Sequence, residues 1–113
     1  MAEDLQIDII DFKGRRITCT KSQWQHHIVK CPHHEYMEDE EDSVITALID
    51  PLFGLRFIDE EFKNRRSYYK LSESKDYYTK VTVEFDNEDG EGDGRIITAY
   101  MPDSIKPNEK PEF

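Results

Sequence analysis

The chain has 113 residues, enough for one domain with a single two-layer core. Its aromatic content of 12% and its β-branched runs argue against a wholly disordered chain. No apolar run approaches the roughly 20 residues of a membrane span, and the acidic start differs from a secretory signal. We therefore expect a cytoplasmic protein without a membrane partner, whose two cysteines, Cys19 and Cys31, are free thiols.

The net charge of −10 comes from 15 Lys and Arg against 25 Asp and Glu. Five acids lie within 38–42 and five more within 86–93, so the remaining 15 acids balance the 15 bases. A negative field slows the approach of a polyanion, which counts against RNA or DNA as a partner. The same charge suits a basic protein partner.

The N-terminal third predicts two short strands and a helix. Residues 5–12 and 16–20 are strand-like, and Gly14 suits the turn between them, so they can pair as an N-terminal hairpin. The run 20–23, Thr-Lys-Ser-Gln, fits a capping box at the start of a helix. Pro32 should end or kink that helix.

A second helix is predicted after the first acidic stretch. Asp42 or Ser43 can cap it, and Pro51 limits its end. Its apolar residues recur with helical spacing and form one stripe for burial against a sheet. The stripe consists of Val44, Ile45, Leu48 and Ile49.

The second half of the chain has the period of β-structure. Four strands are predicted at 55–58, 66–71, 77–85 and 95–101, with a turn rich in Gly, Asn and Asp before the last one. Short connections favour antiparallel pairing. We therefore predict an α+β fold in which two helices pack on a four-stranded antiparallel sheet, beside the hairpin. The domain spans 1–101, and 102–113 forms a loose C-terminal tail.

Three polar clusters lie on these elements. Trp24-Gln25-His26-His27-Ile28 is on the first helix, Arg65-Arg66-Ser67-Tyr68-Tyr69 on an inner strand, and Thr98-Ala99-Tyr100 on the last strand. With a second helix ending in Asp50-Pro51, these motifs resemble the phage-associated nuclease-like domains of the barnase, EndoU, colicin E5/D and RelE fold group. The resemblance covers about residues 14–105.

The resemblance implies a helix pair on a four-stranded antiparallel sheet, and a metal-independent ribonuclease of the toxin type that uses no cofactor. By position, His27 corresponds to the helical histidine of the group and Arg66 to its basic residue. Thr98 and Tyr100 correspond to its polar pair on the last strand, where a period of two puts both side chains on one face. The His-Pro-Glu element of the group is rearranged here into the run 32–35, Pro-His-His-Glu.

Metal-free RNA cleavage needs a base for the 2′-hydroxyl proton, a cation for the phosphorane and an acid for the leaving oxygen. His27, Arg66 and Tyr100 can take these roles. His34 is an alternative acid or base, and Thr98 or Tyr68 can donate hydrogen bonds. Each residue also has a structural interpretation, because tyrosines pack on sheets and exposed charges are common.

The sequence offers two other functions. Histidines and Cys31 lie close together within 26–34, but no second ligand pair stands at a familiar spacing, so a zinc site is not predicted. The alternative to a ribonuclease is a non-catalytic acidic interaction protein, such as an immunity or antitoxin-like partner of a basic protein. The sequence leaves the choice between RNA and a basic protein open, as well as the oligomeric state.

Overall fold

The computed structural model describes residues 4–30, 35–72, 76–105 and 109–112. Within these ranges, seven β-strands form one mixed sheet, and two helices pack on one of its faces. The strands are β1 (Leu5–Ile10), β2 (Arg16–Thr20), β3 (Phe57–Asp59), β4 (Arg65–Leu71), β5 (Tyr78–Phe85), β6 (Gly94–Tyr100) and β7 (Glu109–Pro111). Their order across the sheet is β1-β2-β6-β5-β4-β3-β7.

The first helix, α1, begins as an α-helical turn, Lys21–Gln23, and continues as a π-helix, Trp24–Val29. The predicted cap is confirmed, because Thr20 Oγ1 accepts the backbone N–H of Gln23 at 3.0 Å. The Gln23 amide donates instead to the carbonyl of Ile97 on β6, at 2.6 Å. This bond ties the start of α1 to the sheet.

The second helix, α2, spans Glu41–Ile49, and 3₁₀ turns flank it at Glu35–Asp39 and Leu52–Gly54. Its N-cap is Glu40, not Asp42 or Ser43 as predicted, and the Ser43 hydroxyl donates to the Glu40 carboxylate at 2.7 Å. Val44, Ala47 and Leu48 are buried, whereas Ile49 is 50% exposed. Of the predicted stripe, Val44 and Leu48 are fully buried and Ile45 is partly buried, while Ala47 takes part in place of Ile49.

The predicted sheet is wrong in strand number and direction. The sheet has seven strands rather than four, and β2 pairs with β6 in parallel, through Ile17 opposite Gly94 and Thr18 opposite Arg95. The N-terminal hairpin of β1 and β2 is present, but this pairing makes it part of the main sheet. Parallel partners lie far apart in sequence, so the turn signals that indicate hairpins do not reveal them.

Gly94 allows the parallel pair to pack. A Cβ atom at this position would lie 2.6 Å from Cγ1 of Val83, 2.8 Å from Cε1 of Phe85 and 2.9 Å from Cδ1 of Ile17. These distances are shorter than van der Waals contact, so only glycine fits without movement of its neighbours.

Strand register assigns each side chain of the sheet to one of two faces. Tyr68 is opposite Val81, which is opposite Ala99, and all three are fully buried with Val44 and Leu48 of α2. We call this side the core face. The alternate residues point to the opposite side, which we call the far face. The far face carries Ser67, Tyr69, Lys80, Thr82, Thr98 and Tyr100.

The C-terminal segment also differs from expectation. Residues 102–113 were predicted to be a loose tail, but Glu109–Pro111 form strand β7, which pairs with β3 in antiparallel register. Glu109 is only 8% exposed, and the Glu112 N–H donates to the carbonyl of Arg56 at 2.8 Å. The segment 109–112 is therefore an integral edge of the sheet.

Candidate functional site

The structure places the predicted site residues on different sides of the sheet. Arg66 and Tyr68 lie on the core face, opposite Val83 and Val81 of β5. Thr98 and Tyr100 lie on the far face and are half-buried. The two pairs are therefore separated by the thickness of the sheet.

The histidines do not complete either pair. His27 is exposed on the π-helical part of α1, as is His26. His34 lies outside the described residues. The six candidates therefore do not gather at one place in the part of the chain that the structure describes.

Tyr68 makes a buried hydrogen bond within the protein. Its ring is fully buried, and its hydroxyl donates to Asp11 Oδ2 at 2.6 Å. Asp11 also accepts the backbone N–H groups of Lys13 and Arg15, both at 2.9 Å, and pairs with the Arg15 guanidinium at 2.9 Å. Tyr68 therefore anchors the turn after β1.

These contacts shift both ionisations. Burial opposes the charge of Asp11, but the hydrogen bonds from Tyr68, Arg15 and Lys13 outweigh it and lower its pKa. Burial, together with the hydrogen bond to Asp11, raises the pKa of Tyr68. The pair therefore remains a carboxylate and a neutral phenol near neutral pH, and this phenol is not placed to meet a substrate.

Arg66, like Tyr68, is buried and binds other groups of the protein. It is 4% exposed, and its Nε donates to Glu112 at 2.7 Å. Arg56, which is 1% exposed, donates to the other oxygen of Glu112 at 2.6 Å. The Glu112 side chain thus bridges two buried guanidinium groups, and Glu91 lies 3.9 Å from Arg56 as a second acid.

The second acidic stretch, 86–93, covers these two arginines. Arg56 donates to the carbonyl of Gly90 at 2.8 Å, and Arg66 donates to that of Glu88 at 3.2 Å. Gly90 has a φ of +77°, and a Cβ there would lie 2.9 Å from Nε of Arg66. The turn 86–93, which the sequence predicts before the last strand, is largely exposed and also covers buried charge.

The far face gathers polar side chains in rows across three adjacent strands. Strand register puts Tyr69, Lys80 and Tyr100 in one row, and Ser67, Thr82 and Thr98 in the next. Ser67 and Thr82 hydroxyls are 3.2 Å apart. Thr98 and Tyr100 therefore share their face with a lysine, another tyrosine and two further hydroxyl groups.

Glu109 of β7 reaches into this face. Its carboxylate accepts from Lys80 Nζ and from the Tyr69 hydroxyl, both at 2.5 Å, and from Ser67 Oγ at 3.5 Å. Lys80 Nζ lies 5.7 Å from the ring centroids of both Tyr69 and Tyr100. A carboxylate, an ammonium group and phenols thus lie within reach of one another. We call Lys80, Glu109, Tyr69, Tyr100 and Thr98 the far-face cluster.

Sequence reasoning missed Lys80 and Glu109. Lys80 has a weak signal, because it alternates with the apolar residues Val81 and Val83 of β5 and therefore shares a face with Thr82. Glu109 has no such signal, because it lies among prolines and charged residues in a segment whose composition predicts a loose tail. Its contact with Lys80 spans 29 residues of sequence.

Other surfaces carry less chemistry. A cleft of about 580 Å³ lies between α2 and the ends of β4 and β5, and Lys70, one of its lining residues, pairs with Asp50 at 2.7 Å. Within the described residues, no group of three or more His, Cys, Asp or Glu is placed to hold a metal ion. No helix in the described ranges is long and apolar enough to cross a membrane.

Comparison with known proteins found no family model, no curated protein and no solved structure that matches this chain.

Proposed function

We propose that this protein is a metal-independent endoribonuclease whose substrate lies on the far face of the sheet. The observation that carries the proposal is the far-face cluster, because it supplies a carboxylate, a cation and hydroxyl donors on one surface. These are the groups that phosphodiester cleavage without a metal requires. Two of them, Thr98 and Tyr100, are also the residues of the last-strand motif.

The chemistry can be assigned group by group. Glu109 takes the proton of the ribose 2′-hydroxyl, and the 2′-oxygen attacks the adjacent phosphorus. Lys80 holds the negative charge that develops on the phosphorane oxygens, with Thr98 as a further donor. Tyr100 protonates the departing 5′-oxygen, which leaves a 2′,3′-cyclic phosphate and a free 5′-hydroxyl.

The burial of the far-face cluster and the charge around it determine how an RNA substrate can approach. Lys80 is 4% exposed and Glu109 is 8% exposed, and the two pair with each other, so a substrate has to open this ion pair to reach them. Thr98 and Tyr100 are half-buried, so the substrate would enter over β6. Strand register places four bases on this side, Arg16, Arg65, Lys80 and Arg95, and five acids, Asp8, Asp59, Glu84, Asp86 and Glu109. The far face thus carries one excess acid in a chain of net charge −10, which repels a polyanion less than the chain as a whole does.

The second candidate function is binding of a basic protein, and one observation favours it. Every arginine of the sequence pairs with a carboxylate of the same chain. These residues are Arg15, Arg16, Arg56, Arg65, Arg66 and Arg95. Glu38, Asp39 and Asp42 are exposed at the start of α2. Internal pairing of the arginines leaves such carboxylates to dominate the surface field, which attracts a basic partner.

Cleavage of a mixed RNA pool in EDTA tests the first function. We expect Lys80→Met and Tyr100→Phe each to lower the cleavage rate by about 100-fold, since each removes one catalytic group. Lys110→Gln is the matched control, because Lys110 is exposed and pairs only with Glu60 among the contacts of the structure. Circular dichroism and the emission of buried Trp24 check that each variant is folded.

Three other results would redirect the proposal. Loss of cleavage in His27→Ala, with Tyr100→Phe fully active, would move the site to α1. Equal activity of Lys80→Met and the unmodified protein would exclude the far-face cluster. If the unmodified protein does not cleave RNA, the basic-partner function is tested next, by capture of basic proteins at low and high salt.

A further inference from the structure

One buried hydrogen-bond donor on the far face of the sheet has no hydrogen-bond partner among the described residues. Among the described residues, Arg65 Nε is the single buried side-chain nitrogen or oxygen without a hydrogen bond. Its guanidinium makes a long ion pair with Glu84, at 3.7 Å, and Glu84 is shared with Arg95 at 3.9 Å. Buried polar groups are almost always satisfied, so the Arg65 guanidinium, whose side chain is 29% exposed, has donor capacity that the described residues leave unused.

An exposed aromatic ring lies against the same guanidinium. The Arg65 guanidinium carbon is 3.9 Å from the ring centroid of Phe62, and Phe62 is 41% exposed. Asp59 Oδ1 fixes the backbone of the turn at Phe62, because it accepts the N–H groups of Glu61 and Phe62 at 2.7 and 3.2 Å. An exposed aromatic ring stacked on a guanidinium group forms a flat surface on which a nucleobase can stack.

The surface formed by Phe62 and Arg65 lies next to the far-face cluster along the strands. Register places Arg65, Glu84 and Arg95 in the row next to Ser67, Thr82 and Thr98. Residues two apart on a strand are separated by about 6.7 Å, so Arg65 lies about one such step from Ser67. A chain of nucleotides that crosses the far-face cluster would therefore meet Arg65 and Phe62 next.

We propose that Phe62 and Arg65 form a nucleotide subsite, in which a base stacks on the Phe62–Arg65 pair and the exposed part of the Arg65 guanidinium donates to the neighbouring phosphate. The subsite rests on the proposed function, because its occupant is the flanking nucleotide of an RNA substrate. It positions the strand and does not take part in bond cleavage. Three carboxylates lie on the surrounding elements, Glu84 of β5, Asp59 at the end of β3 and Glu61 of the turn, and their negative charge opposes a duplex, with its higher charge density, more than a single phosphate.

Binding of an uncleavable ligand separates the subsite from catalysis. A fluorescent 2′-O-methyl hexanucleotide lacks the attacking hydroxyl, so its anisotropy reports binding alone. We expect Phe62→Leu and Arg65→Gln each to weaken binding by about tenfold. Phe53→Leu is the matched control, because Phe53 is 76% exposed on a different turn and should leave binding unchanged.

Side-chain ¹H–¹⁵N spectra then identify the atoms. We expect adenosine monophosphate to shift the Arg65 Nε–H resonance more than either adenosine or inorganic phosphate does. An equal shift with inorganic phosphate alone would overturn the base-stacking subsite, and so would unchanged hexanucleotide affinity in both variants. Tenfold weaker binding without RNA cleavage by the unmodified protein would support the subsite while refuting the ribonuclease function.

Discussion

Replacing Glu112 by Gln removes the carboxylate that both Arg56 and Arg66 bind. Removal of one partner from a buried ion pair destabilises a protein by about 3–5 kcal/mol, because the other charge remains buried. The Glu112 side chain is 23% exposed, and Gln keeps one acceptor oxygen, so we expect the free energy of unfolding to fall by about 2–3 kcal/mol.

Urea unfolding measures this change. Trp24 is 3% exposed, so its emission follows the loss of the core. With a denaturant slope of about 2 kcal/mol per molar for a chain of this size, the midpoint should fall by about 1–1.5 M. The control is Glu60→Gln, since Glu60 pairs with Lys110 on the surface and should shift the free energy by less than about 0.5 kcal/mol.

The comparison of the two variants decides the outcome. A midpoint unchanged in Glu112→Gln would show that the C-terminal strand does not hold the buried arginines in solution. Equal shifts in both variants would show that loss of negative charge, and not the buried contact, is what matters.

Three further predictions concern the core. Gly94→Ala should destabilise the fold by about 1–3 kcal/mol, seen as a lower melting temperature, because its Cβ would lie 2.6 Å from a methyl group of Val83. The pKa of Asp11 is below its ordinary value, so this carboxylate stabilises the fold above about pH 4, and the stabilisation is lost as pH falls through the folded pKa. Asp11→Asn should remove that part of the pH dependence. It should also lower the free energy of unfolding at pH 7 by about 2 kcal/mol, because the hydrogen bond from Tyr68 and the pair with Arg15 are weakened. An unchanged dependence of stability on pH would contradict this prediction. Burial raises the pKa of Cys19 to about 12, so a thiol reagent at pH 8 should modify Cys19 only after unfolding, and rapid labelling of the native protein would count against its burial.

Local features of this chain follow from local chemistry. The cap at Thr20, the end of α2 before Pro51 and the alternation of β5 depend on neighbours a few residues away, and the structure has all three. The shared face of Thr98 and Tyr100 is also as predicted, because a period of two is a property of the strand itself.

The site depends on contacts between distant residues. Lys80 meets Glu109 across 29 residues, and Arg56 meets Glu112 across 56. Arg66 was predicted to face a substrate, but its partners come from the turn 86–93 and from the C-terminal segment. No local signal in the sequence reports such partners.

The sequence by itself therefore determined the period of each element, the helix start and the faces of the strands, since backbone geometry and capping act over one or two turns. Only the tertiary structure decided that β2 lies parallel to β6, that β7 closes the sheet, and which charges are buried together. These choices depend on the free energy of packing and of ion pairing between segments far apart along the chain, which the order of neighbouring residues does not encode.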